Sequence, residues 1–162
     1  MSRLPWIDPD SLTGPTAALA TDRYYNLIAR RPQILEAWNA LDKVFFGPTS
    51  VVDNHIKEEA RRTLAQGAGC RFCASLGVPK EEHPDAREAV AVAVADLIAT
   101  DHHQVDESTF EALREVFTDE EIVELLTWIC FKLGSNIYGA IMKIDPANTE
   151  EVRGYAEFVA TG

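Results

Sequence analysis

Basic residues are scarce in this sequence, with 15 Lys and Arg against 26 Asp and Glu, and the formal net charge is −11. An acidic surface repels phosphate backbones and anionic lipids, so we expect no nucleic acid and no membrane as partners. The sequence also lacks an apolar run close to the roughly 20 residues that a membrane-spanning helix needs, and its start lacks the apolar block of a signal peptide. We therefore expect a cytoplasmic protein.

Cysteine is scarce as well, since the chain has three. Three cysteines do not make a disulfide framework, and a cytoplasmic C-x-x-C pair is more often redox-active or metal-binding than structural. Cys70 and Cys73 form such a pair within segment 67–77, where Gly67 and Gly69 predict the end of one helix and the start of another. Residues three apart share a helix face, so the two sulfurs can act as an exchanging dithiol or form a disulfide.

Metal binding and an incidental buried pair are the alternatives to redox chemistry. Zinc takes four ligands, and the sequence has neither a second C-x-x-C nor an H-x-x-x-H pair to complete the set. We expect no metal and no other cofactor. A thiolate from the pair can attack a peroxide to form a sulfenic acid, which the second cysteine converts to a disulfide.

The chain lacks convincing strand and hairpin patterns, and its length suits one domain. Pro5, Pro9, Gly14 and Pro15 predict an extended N-terminal arm over residues 1–15 of the single domain 1–162. Helical spacing of apolar residues predicts an all-α fold with six to eight helices. The predicted segments are 16–31, 32–46, 50–66, a turn or two after Cys70, 85–100, 106–117, 118–144 and 149–159.

Four predicted helix starts carry capping signals, and at two of them Asp85 and Asp106 can act as the N-cap. Ser50 with Asp53 resembles a capping box for the third helix, and Thr118 with Glu121 is a stronger one for the long helix near the C-terminus. Gly134 and the serine after it mark a possible bend in that long helix. The alternating Ala and Val of segment 89–95 predict a helix buried nearly all round, because the alternation is not between polar and apolar residues.

Several pieces of sequence together resemble one known family. They are segment 31–38, Lys57 and Glu58 twelve residues before the C-x-x-C pair, and segment 118–125 with Asn136 downstream. In this order and spacing they resemble the carboxymuconolactone decarboxylase and alkylhydroperoxidase D-like family over about residues 30–145. The resemblance implies a helical homo-oligomer that reduces a small-molecule hydroperoxide with thiols, and a dithiol or thiol that serves as its reductant.

Glu58, Cys70 and Cys73 fall on positions of that family's peroxidase motif. The resemblance implies that Cys73 attacks the peroxide and that Cys70 is the more exposed, exchanging sulfur. Gly77 stands where the family has a histidine of its proton relay, which puts efficient turnover in doubt. His55, three residues before Glu58, is the candidate substitute.

Glu58 also has a second interpretation. A helical wheel places it nearly opposite the apolar stripe of its helix, where it is solvated and paired with Arg62. Two other functions stay open: a non-catalytic or redox-sensing member of the same fold, and a decarboxylase-type lyase.

The remaining candidates have structural interpretations. We expect His102 and His103 to favour a helix C-terminus, His83 to be solvated, and Cys130 to be a small core residue. We expect Trp38 and Trp128 to serve packing.

Overall fold

The computed structural model describes residues 1–161, and this part of the chain is all-helical, without a strand. It has nine α-helices and two 3-10 turns, at Pro9–Ser11 and His102–Gln104. The all-α prediction is confirmed, with one helix more than the largest number expected. The α-helices are α1 (Gly14–Leu19), α2 (Arg23–Ile28), α3 (Pro32–Phe46), α4 (Asn54–Gly67), α5 (Arg71–Ser75), α6 (Ala86–Asp101), α7 (Glu107–Val116), α8 (Asp119–Met142) and α9 (Thr149–Thr161).

The additional helix arises because the first predicted helix is two helices. Asp22 has an extended backbone, and its side chain accepts a hydrogen bond from the Tyr25 N–H, so a new helix begins after it. The N-terminal arm before α1 contains a 3-10 turn and is anchored at Ile7. The N–H and the C=O of Ile7 both bind the side-chain amide of Asn26, at 2.9 and 3.0 Å.

The predicted capping box of α4 is wrong. The Ser50 hydroxyl donates to Glu124 at 2.7 Å, and Asp53 makes no side-chain cap. The buried ammonium of Lys57 binds the same hydroxyl and also Glu124. Ser50 is therefore held by a charge cluster between α4 and α8 and is not available to the helix terminus.

Helix α8 is the longest helix and packs against α4, α5, α6 and α7. Its predicted capping box is confirmed: Thr118 accepts from the Glu121 N–H, and Glu121 accepts from the Thr118 N–H. The helix continues without a break through Gly134. Among the described helices it alone is long and apolar enough to cross a membrane by length and composition. Here it lies in the bundle, with Lys132 and Asn136 among its buried residues.

Three apolar clusters form the interior of the described chain. The first lies between α4, α6, α7 and α8 and includes Ile56, Leu64, Leu113, Leu125 and Ile129. The second surrounds the two cysteines of the C-x-x-C pair with residues of α2, α3 and α5, and the third packs Phe45 and Phe46 on Trp128. The C-x-x-C pair is therefore part of a core.

A buried ion pair joins α3 to α8. Asp42 is fully buried, and its two carboxylate oxygens bind the Lys132 ammonium at 2.6 Å and the Tyr25 hydroxyl at 2.7 Å. Burying a lone charge is costly, so each of these two charges requires the other.

Replacing Asp42 by Ala is predicted to lower the free energy of unfolding by about 3 to 5 kcal/mol, because it leaves the Lys132 ammonium buried without its counter-charge. The matched control combines Asp42→Leu with Lys132→Met, which removes both charges and is expected to recover most of the loss. Urea unfolding measures both. Equal losses in the single and double variants would contradict this account.

Candidate functional site

The C-x-x-C pair begins a short helix, as segment 67–77 predicts. Helix α4 ends at Gly67, and Gly69 has φ +70°, in the left-handed region that favours glycine. Cys70 is the N-cap of α5, and its sulfur accepts a hydrogen bond from the Cys73 N–H at 3.2 Å. The turn at Gly69 and this cap bring both sulfurs to the start of α5.

Cys70 and Cys73 are joined in a disulfide, with 5.3 Å between their Cα atoms. Both residues are buried: Cys70 is 0% and Cys73 5% exposed. The expectation that Cys70 is the more exposed sulfur is therefore wrong for this chain. The physical reason is the aromatic second cluster, with Tyr24 and Phe72, together with the backbone of α8, which covers the disulfide.

Gly139 of α8 provides the surface on which the disulfide packs. A Cβ atom at this position would lie 2.4 Å from the Cys70 sulfur, 3.4 Å from the Cys73 sulfur and 3.3 Å from the Tyr24 ring. The first distance is far inside van der Waals contact, so a side chain at position 139 and the disulfide exclude each other. A glycine inside a long apolar helix is the sequence signal for such close approach.

Glu58 is buried and bound to three side chains, so the interpretation as a solvated residue is wrong. Arg61 donates to it twice, at 2.9 and 2.8 Å, Arg62 donates at 3.0 Å and the Tyr155 hydroxyl at 2.8 Å. A helical wheel of α4 alone cannot show this, because the covering residue, Tyr155, comes from α9. The acidic residue of the motif is thus the centre of an ionic cluster.

Arg61 connects this cluster to the C-x-x-C pair. Its guanidinium donates to the Cys73 carbonyl at 2.8 Å and lies over the Tyr155 ring at 5.0 Å. The sequence analysis did not identify Arg61 or Tyr155, although Arg61 lies three residues after Glu58, a spacing typical of helical ion pairs. Helices α4, α5 and α9 therefore meet at one guanidinium.

The environment of Glu58 favours its charged form. Burial by itself raises the pKa of the carboxyl group, but the hydrogen bond and charge of Arg61, then Tyr155 and Arg62, outweigh it and lower the pKa. A carboxylate held in this way is a weak proton acceptor. Its geometry suits a structural ion pair better than the proton relay that the family resemblance implies.

Gly77, where the family has a histidine, lies against Arg62. A Cβ atom at position 77 would be 2.7 Å from the Arg62 Nε and 3.3 Å from its Cζ. The Arg62 guanidinium also binds Glu59 at 3.1 Å. An arginine thus occupies the space next to Glu58 that a side chain at position 77 would need.

The structure does not bring His55 to Glu58. His55 is exposed. Within residues 1–161 the side chains that hydrogen-bond Glu58 are those of Arg61, Arg62 and Tyr155, and His55 is not among them. The pKa of Asp85 is lowered chiefly by the backbone N–H groups of Arg87 and Glu88, and His55 adds a smaller effect there.

Two other expectations require correction. His83 is not solvated, because its Nδ1 lies 2.9 Å from the buried carboxylate of Glu88 and its side chain is 17% exposed. Cys130 is exposed and not in the core, since it lies on a face of α8, with Val123 and Ile137, that no other helix of the described chain covers.

The histidine pair and the two tryptophans are placed as expected. His102 and His103 are exposed and follow the end of α6. Trp128 is fully buried and donates to the Lys57 carbonyl at 3.1 Å, and Trp38 packs on Tyr24.

Comparison with known proteins supports the fold. No family model matches the sequence, and no curated protein matches it. Among solved structures, the chain is similar to the alkylhydroperoxidase AhpD core described as an uncharacterized peroxidase-related protein from Ralstonia eutropha JMP134. The TM-score is 0.71 at 18% identity, over 99% of this chain and 95% of the other. The alkylhydroperoxidase D-like fold implied by the sequence resemblance is confirmed.

Replacing Gly139 by Ala is predicted to lower the free energy of unfolding of the oxidised protein by about 1 to 3 kcal/mol, because the new Cβ overlaps the Cys70 sulfur. After reduction the sulfurs separate, so the loss is expected to shrink. Gly134→Ala, in the same helix with open space around it, is the control and is expected to stabilise by about 0.5 to 1 kcal/mol. Urea unfolding with and without a reductant measures the stability of both variants. Equal stabilities of the two variants would contradict the packing of the disulfide on Gly139.

Replacing Glu58 by Gln is predicted to cost about 3 kcal/mol at neutral pH, because Arg61 loses its counter-charge. The folded-state pKa of Glu58 lies below the unfolded value of about 4.3, so the stabilisation is complete above that value. It disappears as the pH falls through the folded-state pKa.

Unfolding measured from pH 7 down to pH 3 should therefore show the two proteins converging at the acidic end. Glu36→Gln removes an exposed carboxylate and should follow the unmodified protein throughout. A stability difference between the unmodified protein and Glu58→Gln that stays constant to pH 3 would contradict the assignment.

Proposed function

We propose that this chain, which has the alkylhydroperoxidase D-like fold, reduces hydroperoxides with its Cys70 and Cys73 pair and is reset by an external thiol or dithiol. One observation carries the proposal: the disulfide lies at a helix start, and the cationic Arg61 is bonded to the backbone of Cys73. A cation and a helix N-terminus both favour the thiolate, the reactive form of cysteine. The similar solved structure, described as peroxidase-related, is consistent with this chemistry.

The proposed reaction has three steps. The Cys73 thiolate attacks the outer oxygen of the hydroperoxide, the O–O bond breaks, and the alkoxide leaves as an alcohol after taking a proton. The resulting sulfenic acid is attacked by the Cys70 thiol, which forms the disulfide and releases water. Two electrons from an external dithiol, or from two thiols, then return the pair to the reduced state.

Arg61 has the electrostatic role in this proposal. It is fixed by Glu58 and Tyr155, so its positive charge remains next to Cys73 through the cycle. Glu58 positions Arg61 and does not accept the proton. His55 is the candidate substitute for the missing histidine. Because it is exposed and does not bind Glu58, it has no role in the proposed reaction.

A second candidate is a redox sensor with the same fold and dithiol but without turnover. The observation that favours it is that ion pairs stand where the family has its proton relay. Glu58 is held by two arginines, and Arg62 occupies the space next to Gly77. In this function mild peroxide converts the dithiol to the disulfide, with the loss of about two hydrogens, and a thiol reverses the change.

We further propose that the protein works as a cytoplasmic homo-oligomer, without nucleic acid or membrane as a partner. Two exposed apolar groups are suited to contact a second copy. They are Ile34, Leu41 and Val44 on α3, and Val123, Ile137 and Ile141 on α8.

The test is consumption of an organic hydroperoxide by the reduced protein in the presence of a dithiol. Cys73→Ser is predicted to abolish consumption, and Cys70→Ser to stop turnover after the sulfenic acid forms. Cys130→Ser is the matched control, because Cys130 is a free cysteine outside the disulfide, and it should retain full activity. Consumption by the unmodified protein no faster than by Cys73→Ser would overturn the peroxidase function. Reversible disulfide formation without turnover would then identify the sensor.

A further inference from the structure

A buried side-chain amide on α8 lacks a hydrogen-bond partner. Asn136 is 2% exposed, and its Nδ2 is one of two buried side-chain nitrogen or oxygen atoms without a partner in residues 1–161. The other is Nε of Arg87, whose guanidinium still binds Glu121 and lies over the Phe117 ring. Buried donors are nearly always paired, so the unpaired amide of Asn136 requires a physical reason.

Asn136 lies at the level of the C-x-x-C pair. Helices α4 and α8 run in the same direction, since Trp128 binds the Lys57 carbonyl, and Gly139, farther along α8, packs on the two cysteines that follow α4. Both helices rise equally per residue, so eight residues after the Trp128–Lys57 contact Asn136 comes level with Ala65. Ala65 belongs to the buried cluster that contains both cysteines. Asn136 is therefore about one helical turn from the residue on which the sulfurs pack.

The surroundings of Asn136 are apolar apart from the cysteines. Along α8, Leu133 packs on the first apolar cluster and Ala140 on the second, and Asn136 lies between them. Leu64 and Ala65 of α4 belong to the first and the second cluster in the same way. The cysteine sulfurs differ from these neighbours because their ability to accept a hydrogen bond changes with the redox state. A disulfide sulfur is a weak acceptor, whereas a thiolate is a charged one.

Of the two sulfurs, that of Cys73 is the better placed to reach Asn136. The Cys70 sulfur already accepts a hydrogen bond from the Cys73 N–H as the N-cap of α5. Cys73 lies between the two helices. Its sulfur is 3.4 Å from the position of a Cβ atom on Gly139 of α8, and its carbonyl binds Arg61 of α4 at 2.8 Å. Asn136 lies at the same junction of α4 and α8.

We infer that the Asn136 amide donates a hydrogen bond to the Cys73 sulfur in the reduced protein and thereby favours the dithiol state over the disulfide. The inference rests on the proposed function in one respect, that the pair cycles between these two states. An external dithiol supplies two electrons, and the S–S bond breaks. Cys70 becomes a thiol and Cys73 a thiolate, the reductant becomes its disulfide, and one proton is released.

The free energy of both states favours reduction when Asn136 is present. In the oxidised protein the buried N–H is unpaired, which destabilises that state. In the reduced protein the thiolate provides a charged acceptor, and hydrogen bonds to charged groups are the stronger ones. Asn136 thus adds a direct donor for the sulfur that attacks the peroxide in the proposed reaction, whereas Arg61 binds the backbone of the same residue.

The test is the redox equilibrium between the full-length protein and dithiothreitol. The fractions of oxidised and reduced protein are measured by acid quenching, alkylation and mass measurement. An equilibrium does not depend on how fast the buried disulfide is reached. Asn136→Leu keeps the branched shape of the side chain and removes the donor. It is expected to shift the equilibrium constant about tenfold towards the disulfide, which corresponds to about 30 mV for this two-electron couple.

Ser135→Ala is the matched control. Ser135 is also buried on α8, and its hydroxyl lies 3.0 Å from the hydroxyl of Tyr24, which packs in the cluster of the two cysteines. Loss of this hydroxyl should lower the stability of both redox states alike and leave the equilibrium constant unchanged. An equilibrium constant that is unchanged in Asn136→Leu, or shifted towards the dithiol, would overturn the inference. A shift of the same size in Ser135→Ala would also overturn it.

A second measurement uses the unmodified protein and so does not depend on the folding of a variant. The side-chain amide protons of Asn136 are followed by NMR of isotope-labelled protein in both redox states. One of them is expected to move downfield on reduction, because a hydrogen bond to an anionic acceptor deshields the proton. An unchanged or upfield position would overturn the inference.

Neither measurement uses a peroxide, so the inference and the proposed function can fail separately. A protein that consumes no hydroperoxide but shows the expected shift in equilibrium overturns the peroxidase function alone. A disulfide that excess dithiothreitol does not reduce overturns both.

Discussion

The buried guanidinium of Arg61 is the interaction on which the candidate site depends. A charge this deeply buried is tolerable only with a counter-charge and with its donors satisfied. Glu58 supplies the counter-charge. The Cys73 carbonyl accepts a further hydrogen bond from the guanidinium, and the Tyr155 ring packs against its face. The positions of α5 and α9 relative to α4 follow from this requirement.

The same principle recurs through the core, where three of the 15 basic residues are buried. Lys57, Arg61 and Lys132 are all buried, and each binds a carboxylate on its own or another helix. Four carboxylates are buried beside these three cations, namely Asp42, Glu58, Glu59 and Glu88, so the acidic excess of the composition lies at the surface.

Helix ends with a side-chain cap are predictable from this sequence. The caps at Asp85, Asp106 and Thr118 form as expected, because each oxygen has the N–H groups of its own first turn within reach. Ser50 fails as a cap because Lys57 and Glu124 bind its hydroxyl. A local pattern cannot reveal that competition, since Glu124 is 74 residues away.

The candidate site is predictable to a similar, partial extent. The C-x-x-C pair and the acidic residue twelve positions before it lie close together, since α4 and α5 are adjacent in the chain and pack on each other. The parts that the sequence analysis missed come from distant helices: Gly139 from α8 and Tyr155 from α9. The prediction for Cys130 is wrong for a related reason. The apolar residues of α8 alone do not show which face of that helix stays exposed.

If Arg61 holds the C-x-x-C segment and α9 to α4, the loss of its contacts should be visible in hydrogen exchange. The experiment compares the oxidised protein with an Arg61→Lys variant. Lysine keeps the charge but lacks the planar fork that reaches Glu58 and the Cys73 carbonyl together. Amides in both α5 and α9 are expected to exchange faster in the variant, with those of α7 unchanged. Unchanged protection of α5 in the variant would contradict this role of Arg61.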